Sequence, residues 1–579
     1  MGVPGFFMWL WKKYKGTNFV FDKDHLNKKK DTELINLVNS IDYFLIDTNC
    51  MIHPKCFEIL ADYNKITNQE ALEEKMMNHV IEYLHKMVNY VDPKKGVFIA
   101  IDGVAPVAKI KQQRSRRFKS VHDRKMWESI KKKHKKEIPN SWNNSAITPG
   151  TEFMKKLNEK ILIWCKNQKL EIIYSSSNTP SEGEHKLLQF IRDNIKAKKD
   201  YSYVVYGLDA DLLFLSLATG LDNIFLLREA VHLNKNKPTD ILNYVWIQKM
   251  KESISDTVTD MIKVNYDIEK KLFNSKSIIN DFIFICYLLG NDFLPHLPSL
   301  NISKNGLDYL LEIYVDNLVE NNYNYIIDVT KKDMINQKMF NKIIDKLAES
   351  EDSIIRENFS KKKKRYFTKS VDPYEREVSK IENLMFKIDD PIKLGSDTPE
   401  KWEERYYKHY FHTTKKELSD FKKEMSKQYL LGLKWVTHYY FDKCPSWDWY
   451  FPYDHPPFLK DVSEYSKNFN FKDFKFKLGK PLKPFVQLLC VLPPQSSFLL
   501  PKLLRRLMEN YTSSLAHLYP TEFEQDFIGK GRYWMGIPYL PELEINLVNK
   551  IFRKYDKKLP NSDRKRNNNI DNYYFNVNK

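Results

Sequence analysis

Apolar, β-branched runs that end in a carboxylate recur along the first half of this chain, and they restrict its fold more than any other feature. FLIDTNCMIH carries Asp47, FIAIDGVAP carries Asp102, and VVYGLDADLLFL carries Asp209 and Asp211; TPSEGEHK adds Glu182 and Glu184, and LLGNDFLPH adds Asp292. YFLID, VFIAID, LEIIYSS and YVVYGLD read as strands, and the stretches around 70–90, 152–168, 184–197 and 279–289 have helical period. This alternation over residues 41–300 predicts an α/β domain with a largely parallel sheet. In such a sheet the carboxyl ends of the strands face one crevice, where Asp47, Asp102 and Asp209 would lie. Carboxylates gathered there repel one another unless cations neutralise them. An all-oxygen set suits Mg²⁺ or Mn²⁺, and two such ions about 3.5–4 Å apart serve hydrolysis of a phosphodiester by in-line attack of water. A single acid after a strand is most often a cap or turn residue. That explanation fails for a set that repeats at several strand ends and includes both an E-x-E and a D-x-D doublet.

Pro180 and Ser181 are helix-start signals, so Glu182 and Glu184 fall in a loop or a first helical turn. Asp209 and Asp211 are spaced to project from one side of an extended strand end. Immediately after Asp102 comes KIKQQRSRRFKS, the start of a stretch, 109–136, with 13 Lys or Arg and 2 acidic residues. Lys131 to Lys136 read as a solvated face. On a helix, Lys109, Gln113, Arg116 and Arg117 share one face. An ammonium, an amide and two guanidinium groups on that face suit a terminal phosphate. His53, six residues after Asp47, and Trp447 and Trp449 in CPSWDWYFPY are candidates to stack on unpaired bases, although clustered aromatics usually build core.

Lys and Arg outnumber Asp and Glu by 93 to 75, for a formal charge of +18, which favours a polyanionic partner. No apolar stretch is long enough to span a bilayer. The N-terminal MGVPGFFMWLWKKY lacks the basic start and cleavage site of a signal peptide, and Phe6 breaks the myristoylation pattern. The six cysteines contain no CxxC pair, which implies reduced thiols in an intracellular protein without a zinc site. The expected division is a nuclease-like α/β domain at 1–300 and a charged, mostly helical connecting region at 301–400, with the basic run KKKKR at 361–365. An aromatic-rich, mainly helical domain at 401–556 and a polar, poorly ordered tail at 557–579 follow.

The long strings IDGVAPVAKIKQQRSRRFKS, SEGEHK, YGLDADLLFL and GNDFLPHLPSL resemble the first block of the XRN/Rat family of 5′→3′ exoribonucleases. KWEERYYKHYF, GLKWVTHYYFDKCPSWDWYFPY and YPTEFEQDF resemble its second. The resemblance runs in order through most of residues 1–540 and is weakest across 301–400. It implies a PIN/FEN-like sheet domain with a helical domain packed on it. It also implies two Mg²⁺ ions, replaceable by Mn²⁺, held by Asp47, Asp102, Glu182, Glu184, Asp209, Asp211 and Asp292. By analogy with related flap nucleases, Asp47, Asp102 and Glu182 would lean toward one ion and the other four toward the second. Lys109, Gln113, Arg116 and Arg117 would grip a 5′-monophosphate, His53 and a second-block Trp would stack bases, and the N-terminal segment would refuse duplex.

Cys50 and Met51 depart from the small and aliphatic residues usual in the first motif. Val107 stands where a basic residue is common, and Ser181 where Gly is usual. The Cys/His knuckle of many nuclear members is missing between 228 and 281, as are the extra domains of the long cytoplasmic members. The implied protein is a monomeric, non-membrane, cytoplasmic rather than nuclear exoribonuclease that degrades single-stranded RNA to mononucleotides. A flap endonuclease or DNA 5′ exonuclease with the same metal site is one alternative. The other is an inactive RNA-binding scaffold, against which the full set of acids argues.

Overall fold

The computed structural model describes residues 6–14, 19–23, 32–63, 68–139, 141–229, 241–268, 273–300, 305–360 and 368–576. The basic run at 361–365 and residues 1–5 of the expected N-terminal gate lie outside the described residues.

Strands β1 (Val20–Phe21), β2 (Tyr43–Asp47), β3 (Gly96–Ala100), β4 (Glu171–Ser175), β5 (Tyr203–Tyr206), β6 (Ile224–Glu229) and β7 (Leu242–Trp246) belong to the main sheet. β8 (Gln525–Asp526) pairs with β9 (Ile537–Pro538) in a separate two-stranded ribbon, and β10 (Tyr573–Phe575) returns to the main sheet. The order is β1-β7-β6-β5-β2-β3-β4-β10. The five strands from β6 to β4 run parallel, while β7, β1 and β10 pair antiparallel at the edges.

Burial on both faces explains why the central strands are continuous apolar runs rather than alternating ones. Successive side chains feed opposite cores. Leu45, Phe98 and Val205 join one hydrophobic cluster, and Ile46, Ile99 and Tyr206 join the other. Helices Asn49–Ala61, Gln69–Val91 and Glu152–Lys166 contribute to the second cluster; Gly183–Lys196, Ile247–Tyr266 and Ser275–Tyr287 contribute to the first. This is the α/β architecture with a largely parallel sheet that the motif pattern predicts.

The rest of the chain is mainly helical and does not hang from the sheet domain by a linker. Leu307, Leu347 and Trp435 all belong to the first sheet-face cluster, so one core crosses the divisions expected near 300 and 400. Asp281 shows how tightly: its carboxylate accepts the backbone N–H groups of Ile326 and Ile327, at 2.9 and 2.7 Å, and the Tyr314 hydroxyl at 3.0 Å. A third cluster joins Val107, Ile110 and Phe118 of the basic helix Val107–Lys133 to Phe485, Leu489, Leu504 and Phe552.

Two expectations need correction. Residues 557–576 are not a loose tail. They form the helix Asn561–Arg566 and then β10, in register with β4 through Tyr573–Tyr174, Tyr574–Ile173 and Phe575–Ile172. The polar composition hid aromatic residues that close a sheet edge, and edge strands are short and often polar. Asp209 and Asp211 do not extend β5. The strand stops at Tyr206, and Asp211 is the first residue of the helix Asp211–Ala218, where the helix dipole favours an acid.

Candidate active site

The carboxyl ends of the parallel strands place the acids as the topology requires. Asp47 closes β2, Asp102 lies two residues past β3, and Asp209 follows β5. Glu182 caps the helix Gly183–Lys196, with Glu184 in its first turn. Gly183 is needed at that junction because a Cβ there would stand 2.9 Å from Asp47 Oδ1. Its N–H donates to Asp102 Oδ1 at 2.7 Å, which ties the helix start to β3. Ser181, just before, has φ of +96°, the left-handed region that Gly adopts without strain. Main-chain hydrogen bonds from Gly103 N to Ser181 O (2.8 Å) and from Ser181 N to Val104 O (2.9 Å) hold it there.

All seven acids are electrostatic neighbours in one connected set. Burial, then Asp102 and Asp209, push the Asp47 carboxyl well above its usual range. Burial, then Asp211 and Glu182, do the same to Glu184. Asp102 is raised by burial and Glu182, and Asp211 is pushed up to about 6 by burial and Asp292. Asp292 moves the other way. Burial opposes its charge, but the Lys109 ammonium holds it well below the carboxylate range. Lys109 Nζ lies 2.6 Å from both Glu182 Oε1 and Asp292 Oδ2.

The donor set fits divalent cations. Asp47 Oδ1 and Glu184 Oε2 are buried without a hydrogen-bond partner among the described residues, an expensive state for a carboxylate that lacks a cation. Glu182, Glu184 and His185 can each bring a ligand atom within 4.8 Å of the others. Stability follows with a definite sign. A carboxyl whose folded-state pKa lies above its unfolded value makes the fold lose stability as pH rises between the two. In chelator, the melting temperature of the wild type relative to Asp211→Asn should therefore fall as pH rises from 3.8 through about 6, the window set by Asp211. Added Mg²⁺ should reduce that fall; identical pH profiles with and without the ion would count against cation binding at these acids.

Beside the acids is a cavity of about 380 Å³ lined by Asn49, His53, Asp102, Gly103, Gln113, Arg116, Arg117, Ser120, Arg124, Asn144 and Gln487, among others. Arg117 donates to Thr148 Oγ1 at 2.8 Å, and neither it nor Arg116 is in an ion pair among the described residues. Burial and the adjacent Arg116 pull the Arg117 guanidinium down to about 9, so the cavity is short of negative charge. His53 is held neutral, its pKa taken down to about 4 by burial and the two arginines. The expected phosphate set is thus divided: Gln113, Arg116 and Arg117 line the cavity, whereas Lys109 turns to the acids. The uncompensated carboxylates supply the stronger field.

A larger cleft of about 910 Å³ runs along the basic helix and shares Arg116, Ser120, Arg124 and Asn144 with the cavity, and Asp292 opens on it. Its walls include Trp127, Trp142, Tyr453 and Trp534. Trp534 sits between β8 and β9 and is 64% exposed. Trp447 and Trp449, the second-block residues expected to stack on bases, line neither space. Trp447 O accepts the Val107 N–H at 3.0 Å, and Trp449 stacks on buried Trp435 at 5.6 Å. Their density of aromatic neighbours was a core signal. The motif YPTEFEQDF stops short of Trp534, whose only signal is a tryptophan shortly after it.

Other side chains at the acids carried no expectation. Asn49 brackets Asp102: its Nδ2 donates to Asp102 Oδ2 at 2.9 Å, and its Oδ1 accepts from Asp102 N at 3.0 Å. The Cys50 thiol donates to Asp47 Oδ2 at 3.0 Å. From the helix Leu418–Phe441, Tyr439 donates to Glu182 Oε2 at 2.8 Å and Tyr440 to Asp211 Oδ1 at 2.9 Å. Tyr439 also packs at a tilt against His185, with centroids 3.6 Å apart.

Two family models match in sequence order. One, described as XRN 5′-3′ exonuclease N-terminus, covers residues 1–230; the other, described as Xrn1 helical domain, covers 272–386 and 368–579. The chain belongs to the XRN 5′→3′ exonuclease family. Among XRN relatives, the 5′-3′ exoribonuclease 2 of Candida albicans is 28% identical, over 98% of this chain and 74% of that protein. The 5′-3′ exoribonuclease 2 of Arabidopsis thaliana is 29% identical, over 98% and 68%. The 5′-3′ exoribonuclease 1 of Homo sapiens is 30% identical, over 98% of this chain and 35% of that protein. The solved catalytic core of Rad2 in complex with DNA substrate superimposes with a TM-score of 0.29 at 11% identity. It covers 70% of this XRN chain and 85% of that one, too loosely to bear on the site. No described helix of this XRN protein is long and apolar enough to cross a membrane.

Proposed function

We propose that this XRN protein is a Mg²⁺-dependent, processive 5′→3′ exoribonuclease that shortens single-stranded, 5′-monophosphorylated RNA to mononucleotides. The observation that carries this reading is the position of Asp102, which belongs to the acidic cluster and also lines the arginine cavity. A terminal phosphate held by Arg116, Arg117 and Gln113 would set the register of the chain against the acids, so that each cut removes one nucleotide. Asp47, Asp102, Glu182, Glu184, Asp209, Asp211 and Asp292 would hold two ions. When bound, these supply an acidified attacking water and charge neutralisation at the leaving 3′-oxygen. The family resemblance implies that this cavity would take a single phosphate rather than a triphosphate or cap.

The cleft along the basic helix would guide the following nucleotides. His53 at the cavity and Trp534, the exposed tryptophan at the cleft, would stack on bases. Trp534→Ala should weaken RNA binding by about 1–3 kcal/mol and shorten runs of consecutive cleavage, while a dinucleotide substrate is cut at a nearly normal rate. Long RNA degraded by the variant in unbroken runs would contradict that role.

End-labelled RNA carrying 5′-monophosphate, 5′-hydroxyl or 5′-triphosphate, with and without Mg²⁺, tests the whole reading. Rapid, Mg²⁺-dependent release of mononucleotides from the monophosphorylated RNA alone is the expected outcome. Internal cleavage of a DNA flap would favour an endonuclease, and no turnover with either Mg²⁺ or Mn²⁺ a binding scaffold.

A further inference from the structure

We propose that Tyr439 and Tyr440 are positioning residues through which the helical half of the chain sets the divalent-ion affinity of the acids on the sheet half. This rests on the reading above that these acids hold divalent ions.

The two tyrosines are consecutive on the helix Leu418–Phe441, yet their hydroxyls reach acids on two different elements. Tyr439 donates to Glu182 Oε2 at 2.8 Å, and Tyr440 donates to Asp211 Oδ1 at 2.9 Å. Glu182 caps one helix and Asp211 begins another, so each is held at its base by the backbone and at its tip by a hydroxyl from a distant part of the sequence.

A hydrogen bond to one carboxylate oxygen fixes the plane of the group and leaves the other oxygen to point at a cation. Without the hydroxyl, a carboxylate in this crowded set can rotate away from its neighbours to relieve repulsion. The rings cannot easily withdraw. Tyr439 is packed between Trp435 and His185, at centroid distances of 4.6 and 3.6 Å, and Tyr440 lies 5.1 Å from Tyr287. Rigid rings with aimed hydroxyls are what a positioning role needs, and they cost little side-chain entropy when an ion arrives.

The test uses Tyr439→Phe, Tyr440→Phe and the double variant in the full chain, with Tyr429→Phe as control. Tyr429 is buried on the same helix, and its hydroxyl has no hydrogen-bond partner among the described residues. Binding of Mn²⁺ is measured directly by titration calorimetry or electron paramagnetic resonance, and the Mg²⁺ concentration for half-maximal turnover alongside it. Each single variant should bind Mn²⁺ about 10- to 100-fold more weakly. Its half-maximal Mg²⁺ should rise in step, while turnover at saturating Mg²⁺ recovers most of the wild-type rate. RNA affinity in chelator should stay at the wild-type value, and the metal-free variants should still unfold in one cooperative transition, at a somewhat lower temperature, which separates positioning from a folding defect.

Variants that bind Mn²⁺ as tightly as wild type, or a Tyr429→Phe control that weakens as much as they do, would overturn the inference alone. Wild-type protein that binds no divalent ion would overturn the functional reading and this inference together.

Discussion

Asp211→Asn should remove at least about three orders of magnitude from RNA hydrolysis while RNA binding changes by no more than a few fold. The substitution keeps the size of the side chain and an oxygen that can accept the Tyr440 hydroxyl, now 2.9 Å away. What disappears is one negative charge in a set whose members already raise one another's pKa values. Loss of a cation ligand forfeits several kcal/mol of charge stabilisation in the transition state, which corresponds to a thousandfold or more in rate. Asp209→Ala should behave alike, since Asp209 faces both Asp47 and Glu184. Gel-shift measurements in chelator, beside single-turnover cleavage in Mg²⁺, separate binding from chemistry. Substantial cleavage by either purified variant would falsify the assignment of the acids.

The second large effect concerns selection of the RNA end. Arg116→Ala combined with Arg117→Ala should erase the preference for 5′-monophosphate over 5′-hydroxyl RNA. Each charge-assisted hydrogen bond to a phosphate is worth about 1.5–3 kcal/mol, so the double variant should lose about a hundredfold or more in relative kcat/KM. Cleavage of the hydroxyl-ended RNA should fall far less, because neither arginine pairs with the acids and only Arg116 also borders the cleft. Lys109→Ala would be a poorer probe of the cavity. Its ammonium bridges Glu182 and Asp292, so its loss would unbalance the acids and depress cleavage of every RNA end. Competition between differently ended RNAs in one tube gives the ratio directly. An unchanged ratio in the double variant would remove the cavity from end recognition.

The parts of the molecule legible in the sequence are those where local pattern and global fold agree. YFLID and YVVYGLD are apolar throughout because both sheet faces are covered, and their trailing acids reach the crevice because parallel strands share a direction. The basic helix was legible as well, since Gln113, Arg116 and Arg117 recur at helical spacing. Groups defined by long-range contact were not. Lys109 has the same spacing as the cavity residues, and only the placement of Glu182 and Asp292 shows which way it turns. Tyr439 and Tyr440 read as two more aromatics in a tyrosine-rich segment, and nothing local marks their hydroxyls as aimed at acids more than two hundred residues earlier. Trp449 and Trp534 differ in exposure, a property that no short motif encodes. Residues 557–576 failed for a related reason: a three-residue edge strand is too short to show a period.

The core that runs unbroken from Phe6 to Phe471 has a consequence for how the protein comes into being. A growing chain has delivered every acid once Asp292 leaves the ribosome, but at that stage the apolar faces of the helices behind them are bare. Leu433, Trp435 and Tyr439, which cover those faces, are synthesised far later. Contacts between segments so distant in the sequence form last, and until then the half-made sheet is a vulnerable intermediate. Closure of the acidic site on this core should therefore wait until the helical half has been made and has docked.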